Sequence, residues 1–237
     1  KTKAHQRNKM DQIETKNGIL LVDKEQGWTS SDVVCISRGI LKTKVGHAGT
    51  LDPMATGLLI LLVGSFTKKQ NEFLTLPKTY EAKAKLGIKT DTWDAEGEVL
   101  KEDAVPQISE DKLQEVIKSL TGKFNHIIPP FSAKKVGGQK MYKLAREGVK
   151  IEKKESEITV FNWSNVKLSK NILKFKVEVS SGTYVRSLAV MLAKKLGTHA
   201  HLTSLRRTTI GKYDISDAIK VSDVKKISRK DLEVRVI

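Results

Sequence analysis

The chain has 237 residues, 39% hydrophobic, 30% charged and 5% aromatic, and its 43 Lys and Arg outnumber 27 Asp and Glu for a formal net charge of +16. That length and apolar content suffice for a buried core in one large or two small domains, and a single cysteine, Cys35, excludes an internal disulfide. A charge this large suits attraction to a polyanion, nucleic acid before an acidic membrane, because no stretch approaches the ~20 apolar residues of a spanning helix.

Residues Lys1 to Asn17 are polar without apolar period and read as a flexible basic tail. With one cysteine and no apolar signal segment, the expected location is the reducing cytoplasm. Gly18 to Asp23 is a buried strand, and Lys24 to Gly27 is a turn. Thr29, Ser30 and Asp32 supply caps for a helix with Val33, Ile36 and Ile40 on one face, in which Cys35 is expected to be a buried, inert thiol. Gly57 to Gly64 is apolar throughout, the pattern of a strand covered on both faces.

Tyr80, Ala82, Ala84 and Leu86 alternate with charged residues and mark a half-buried strand. Thr90 to Gly97 is a polar turn, and Ser109 caps a helix carrying Leu113, Val116, Ile117 and Leu120 until Gly122 ends it. His126 to Lys154 looks inserted and is densely basic, with Lys134, Lys135, Lys140, Lys143, Arg146, Lys150, Lys153 and Lys154, and Met141 to Glu147 suits a short helix. Strands return at Ile158 to Leu168 and at Leu173 to Val179, and a helix from about Tyr184 to Leu196 closes at Gly197. No repeat or regular βαβ rhythm is present, so the fold expected is α+β, with a mixed, mainly antiparallel sheet and flanking helices.

The chemistry centres on Gly46-His-Ala-Gly-Thr-Leu-Asp-Pro-Met-Ala-Thr-Gly57, which holds one carboxylate, Asp52, among small and turn-forming residues. Asp52 reads either as a turn cap or as a reactive acid that the glycines let a substrate approach. Arg186, in Ser181-Gly-Thr-Tyr-Val-Arg186, opens a helix where a cation opposes the macrodipole, so it is either a solvated arginine or the partner of a carboxylate such as Asp52. Arg206 and Arg207 suit phosphate contacts. His199 and His201 lack further ligands for a metal, so no metal or cofactor is expected.

Together these pieces resemble the TruB family of tRNA pseudouridine(55) synthases. The loop around Asp52 resembles its catalytic motif, Lys78-Thr-Tyr80 its substrate-tyrosine motif and Ser181 to Arg186 its arginine motif, in the family's order. Supporting segments are Asp23 to Ser30, Thr90 to Asp94, Pro129 to Lys134 and Leu205 to Arg207. Glu25 departs from the pattern, standing where the family usually has proline.

The resemblance implies a pseudouridine synthase fold, with a catalytic domain over 18–213, an RNA-binding thumb over 124–154 and a short segment, 214–237, in place of a full PUA-type module. It implies isomerisation of uridine 55 in the tRNA T-loop, without cofactor, by a monomer with no obligate protein partner, after the base is flipped from its stack. Asp52 would be the essential carboxylate, adding to sugar or uracil or abstracting a sugar proton; Arg186 would orient it, and Tyr80 would stack on the uracil. Tyr184 and Leu205 would line the base pocket, and His47 would lie against the RNA. Lys24, Lys134, Lys135, Lys140, Arg146, Arg206 and Arg207 would contact RNA. A noncatalytic tRNA-binding or folding protein with the same pocket is the alternative from another class.

Overall fold

In the computed structural model, which describes residues 17–132, 134–136, 139–141, 147 and 154–237, the alternating segments become strands of one sheet. The chain opens with β1 (Gly18–Lys24), α1 (Ser30–Leu41), β2 (Val45–Ala48) and β3 (Thr56–Val63), then runs through a 3-10 turn (Gly64–Lys69) and α2 (Gln70–Leu74) into β4 (Lys78–Leu86). β5 (Ile88–Thr90) pairs with β6 (Val99–Glu102), and α3 (Glu110–Ser119) leads to β7 (Gly122–Ile127). The short β8 (Lys135–Val136) and β9 (Gln139–Lys140) pair with each other. β10 (Glu155–Ser169), β11 (Ile172–Val179), α4 (Val185–Lys195), β12 (Ala200–Ile210) and β13 (Tyr213–Asp214) follow, and the chain ends with β14 (Ile219–Lys220), α5 (Val221–Val224) and α6 (Arg229–Val234).

The main sheet runs β14-β1-β3-β12-β4-β11-β10-β7, with β2 and β13 added on β3 and β12. Among the described residues its parallel pairs are β1 with β14 and β3 with β12, and its other pairings are antiparallel. This is the mixed, mainly antiparallel sheet expected.

Local sequence explains the elements. Thr29 Oγ1 accepts from the Asp32 amide while the Asp32 carboxylate accepts from the Thr29 amide, a reciprocal capping box that starts α1. Ser109 accepts from the Lys112 amide and starts α3. β3 is buried on both faces because Leu59, Leu61 and Val63 pack beneath α1, α5 and α6 while Leu58, Ile60 and Leu62 meet Phe73 and Ile210. The other half of the sheet packs Ala82, Ala84, Phe175 and Val177 against α3 and α4. At about 25 cal/mol per Å² of apolar surface, these two layers supply most of the driving force for folding.

The central parallel pair needs Gly57. Its φ is +110°, and a Cβ there would collide with the Arg207 backbone, so β12 could not lie against β3 with a side chain in that place. This approach brings residues from the chain's last quarter to the Asp52 loop.

One expectation is corrected, and one residue gains a partner. Cys35 is exposed, because the buried positions of α1 are Ser30, Val33, Ser37 and Leu41, and Cys35 lies off that stripe beside the Arg38 guanidinium. Glu25 does more than stand in a turn: its carboxylate accepts from the Ser222 amide at 2.9 Å and the Ser222 hydroxyl at 3.3 Å, clasping α5. Of the tail expected over Lys1 to Asn17, residues 1–16 lie outside the described residues, while Asn17 is described and its side chain accepts from the Ser65 amide; most of the short helix expected over 141–147, Arg146 included, also lies outside them.

Candidate active site

Asp52 sits in the connection between β2 and β3, and that loop is held from the β1–α1 turn. The Ser30 hydroxyl accepts from the Leu51 amide and donates to the Leu51 carbonyl, and the Gly27 amide and Lys24 Nζ both donate to the Pro53 carbonyl. Lys24 Nζ also donates to the Trp28 carbonyl at 2.7 Å. A carboxylate so placed is held by backbone fixed on both sides, yet its side chain remains 35% exposed.

Across the pocket, α4 presents Arg186, whose side chain is 4% exposed. Nη2 lies 2.9 Å from Asp52 Oδ2 and donates to the Phe131 carbonyl, while Nη1 donates to the Thr92 carbonyl and lies 3.5 Å from Asp94 Oδ2. A planar guanidinium can serve these four acceptors at once, whereas an ammonium cannot match the fork. The buried charge is tolerated because it is paired and hydrogen-bonded.

Asp94 is the site residue that sequence reading missed. It is buried, and its signals in the sequence were its place in the polar turn Thr90 to Gly97 and at the end of the supporting segment Thr90 to Asp94. Between the two Arg186 acceptors of this turn, the Thr92 carbonyl and the Asp94 carboxylate, stands Trp93 at φ +65°. Such a backbone is costly for a bulky residue, and here the Trp93 carbonyl accepting from the Leu202 amide helps hold it. The Phe131 carbonyl left no trace in the sequence, since every residue has a carbonyl.

A cavity of about 290 Å³ opens over Asp52 and is lined by Tyr80, Tyr184, Leu205, Arg186, Lys78 and Arg207 among others. That volume is at the lower end for small-molecule sites and suits a single heterocycle. Tyr80 and Leu205 are nearly buried, and Tyr184 is half-buried with its phenol pushed up chiefly by burial. Burial lowers Lys78 to about 8 and Lys24 to about 8, with the Asp52 carboxylate partly opposing the shift at Lys24. Glu96 is raised, first by burial and then by the neighbouring Asp94 and Asp52 carboxylates. Three carboxylates, Asp52, Asp94 and Glu96, thus share the field of two cations, Lys24 and Arg186.

Of the other residues expected at the site, His47 lies on β2 outside the cavity lining. Its pKa is lowered, first by burial and then by the Arg207 charge. Two expected RNA contacts are corrected. Lys24 is fully buried with its ammonium spent on backbone carbonyls. Arg207 is 1% exposed and donates to the Leu58 and Gly49 carbonyls, so both cations brace the Asp52 loop and neither is free for phosphate. Arg206 keeps 38% of its side chain exposed and forms an ion pair with Asp23 at 2.8 Å. Lys134 is exposed, Lys135 and Lys140 belong to β8 and β9, and Arg146 lies outside the described residues. Among the described residues, no cluster of three His, Cys, Asp or Glu is placed to hold a metal ion, and no helix is long and apolar enough to cross a membrane.

Comparison with known proteins gives these residues a family. Residues 38–185 match the TruB family pseudouridylate synthase N-terminal domain, and residues 186–235 match the tRNA pseudouridylate synthase B C-terminal domain. The chain is 45% identical over 217 residues to tRNA pseudouridine synthase B of Caldicellulosiruptor saccharolyticus, covering 92% of this chain and 75% of that protein. It is 42% identical to the protein of the same name from Aquifex aeolicus, covering 87% and 73%. Among solved structures it resembles a chain of a Cbf5-Nop10-Gar1 complex with a TM-score of 0.67 and 26% identity, covering 88% of this chain and 54% of that one. A chain of an H/ACA RNP bound to a substrate RNA containing 2′-deoxyuridine matches with a TM-score of 0.65 and 25% identity, covering 88% and 52%, so this chain spans about half the length of these two. With two adjoining family segments matched over residues 38–235 and relatives covered over most of their length, the chain belongs to the TruB family of pseudouridylate synthases.

Proposed function

We propose that this synthase converts uridine 55 in the T-loop of tRNA to pseudouridine, with Asp52 as the reacting carboxylate. The observation that carries the reading is the Asp52–Arg186 pair, 2.9 Å apart, on the wall of a base-sized cavity lined by Tyr80, Tyr184 and Leu205. The relatives named for tRNA pseudouridine synthesis and the net charge of +16 support tRNA as the substrate.

The reaction is an isomerisation: the N1–C1′ bond breaks, the uracil turns, C5 bonds to C1′, and the C5 proton leaves as N1 gains one. No oxidant or cofactor is needed for that balance. The cavity is a base-sized recess with Asp52 on its wall, so the target base must leave its stack to enter, at a cost of a few kcal/mol that contacts to its ring offset. Arg186 keeps the Asp52 carboxylate oriented towards the cavity, and its four acceptors keep the guanidinium from turning away. Tyr80 lines the cavity where the ring would stack, and its phenol relays the C5 proton, passing its own O–H proton on as it takes that one. Lys134, Lys135, Lys140, Arg146 and Arg206 are assigned RNA contacts, with 124–154 as the thumb on the T-arm.

The test is incubation with unmodified tRNA transcript, followed by chemical mapping of pseudouridine. Modification at position 55 that depends on Asp52 is the expected result, and a transcript left unmodified by the intact protein would end the proposal. Mapping on total RNA separates this from action on another uridine.

A further inference from the structure

His126 is buried completely at the end of β7, and the pocket chemistry described above does not use it. Its ring is pinned at both nitrogens. Nδ1 lies 2.9 Å from the Ser156 carbonyl, which can only accept, and 3.3 Å from the Ser156 hydroxyl, which can accept as well, so Nδ1 carries the proton. Nε2 is therefore the acceptor, and the Tyr184 backbone amide donates to it at 3.2 Å. The rings of His126 and Tyr184 also stack, with centroids 5.8 Å apart and planes 25° apart.

Tyr184 is the N-cap of α4, and its own side chain makes no capping bond, so its amide is one of the helix-start groups that need a partner from elsewhere. Two residues on stands Arg186. The segment that follows His126 holds the same helix start at further points: the Ser187 hydroxyl donates to the Ile127 carbonyl, and Arg186 Nη2 donates to the Phe131 carbonyl. The root of the basic insertion is thus bonded to successive residues of the turn that carries the guanidinium.

We propose that His126 is a positioning residue for the pseudouridine synthase reaction: its neutral, Nδ1-protonated ring fixes the Tyr184 amide and thereby the placement of Tyr184 and Arg186 against Asp52. This rests on the roles given to those residues under Proposed function. Protonation of Nε2 would set an N–H against the Tyr184 N–H and remove the only acceptor the amide has in the ring. The groups facing the ring agree with a neutral form: burial and the Lys134 ammonium lower its pKa, the Ser156 carbonyl opposes them, and the Tyr184 phenol is uncharged.

The experiment compares His126→Gln, which keeps a side-chain acceptor without titrating, with His126→Leu, which keeps bulk and removes the acceptor. Turnover, tRNA affinity and the Tyr184 amide resonance are followed from pH 7 to pH 5. The Leu variant should lose about tenfold or more in kcat with tRNA affinity nearly unchanged, and the Gln variant should recover most of it. The Tyr184 amide should shift on acidification in the native protein and stay still in the Gln variant. A Gln variant as impaired as the Leu variant, or an amide that titrates equally without the imidazole, overturns the proposal. Should the Leu variant not fold, the Gln variant's turnover and amide titration still decide it. The amide readout does not require activity, so it separates a failure here from a failure of the reading of Asp52, which Asp52→Asn tests independently.

Discussion

At the residue scale, the site is a problem of holding charge in a partly buried pocket. Arg186 lies within reach of two carboxylates and two carbonyls, so its geometry matters as much as its charge. Arg186→Lys keeps the charge and loses the fork; kcat for tRNA pseudouridylation should fall about 100-fold, with tRNA affinity, read by filter binding, changing far less. Asp52→Asn should abolish turnover and leave folding nearly intact, because Arg186 retains Asp94 and its two carbonyls; loss of the folded state in thermal melts would instead make Asp52 structural.

Lys78 carries a pH dependence of stability with a definite sign. Its folded-state pKa of about 8 is below the ordinary 10.5, so between those values the unfolded chain binds more protons than the folded one. Stability therefore rises with pH across that window, by roughly 3 kcal/mol when the shift is fully expressed, and the burial penalty is fully present below it. Urea titrations at pH 7.5 and pH 10 should show the native protein gaining on Lys78→Met as pH rises. A gap independent of pH would contradict the assignment.

At the element scale, the β1–α1 turn ties two distant parts of the chain together. Lys24 and Gly27 hold the Pro53 carbonyl beside Asp52, while Glu25, between them, holds the start of α5 through Ser222. Lys225 packs its ammonium 4.1 Å from the Trp28 ring centroid and closes the same contact. Glu25→Ala should destabilise the protein by about 1–2 kcal/mol, read as a lowered Tm, because α5 loses its N-terminal acceptor. An unchanged Tm would mean that solvent replaces the carboxylate without cost.

The elements themselves were largely legible. Ser109, Thr29 and Asp32 announced their helices because capping is read within four residues, and the alternation from Tyr80 to Leu86 announced β4 because strand burial has period two. Cys35 was misjudged because an apolar neighbourhood in sequence does not say which stripe of α1 turns inward.

At the scale of the whole molecule, the charge of +16 is divided between two uses. Lys24, Lys78, Arg186 and Arg207 are buried and serve carbonyls or carboxylates, so they are not surface contacts for backbone phosphate. The exposed cations remain for phosphate, and affinity for tRNA should fall on the order of a hundredfold between 50 and 200 mM salt. The same slope is expected for Asp52→Asn, and a slope near zero would remove phosphate attraction as the source of binding.

The sequence by itself determined the strands and helices, the α+β class, and Asp52 as the carboxylate worth explaining, because periodicity, capping and glycine-spaced turns act over a few neighbouring residues. Only the tertiary structure decided which cations are free and which are buried, and that Arg186 serves Asp52, Asp94 and the carbonyls of Thr92 and Phe131 together. Desolvation and pairing of a charge depend on what the chain brings against it from 50 or more residues away, as β12 does when Gly57 lets it approach β3.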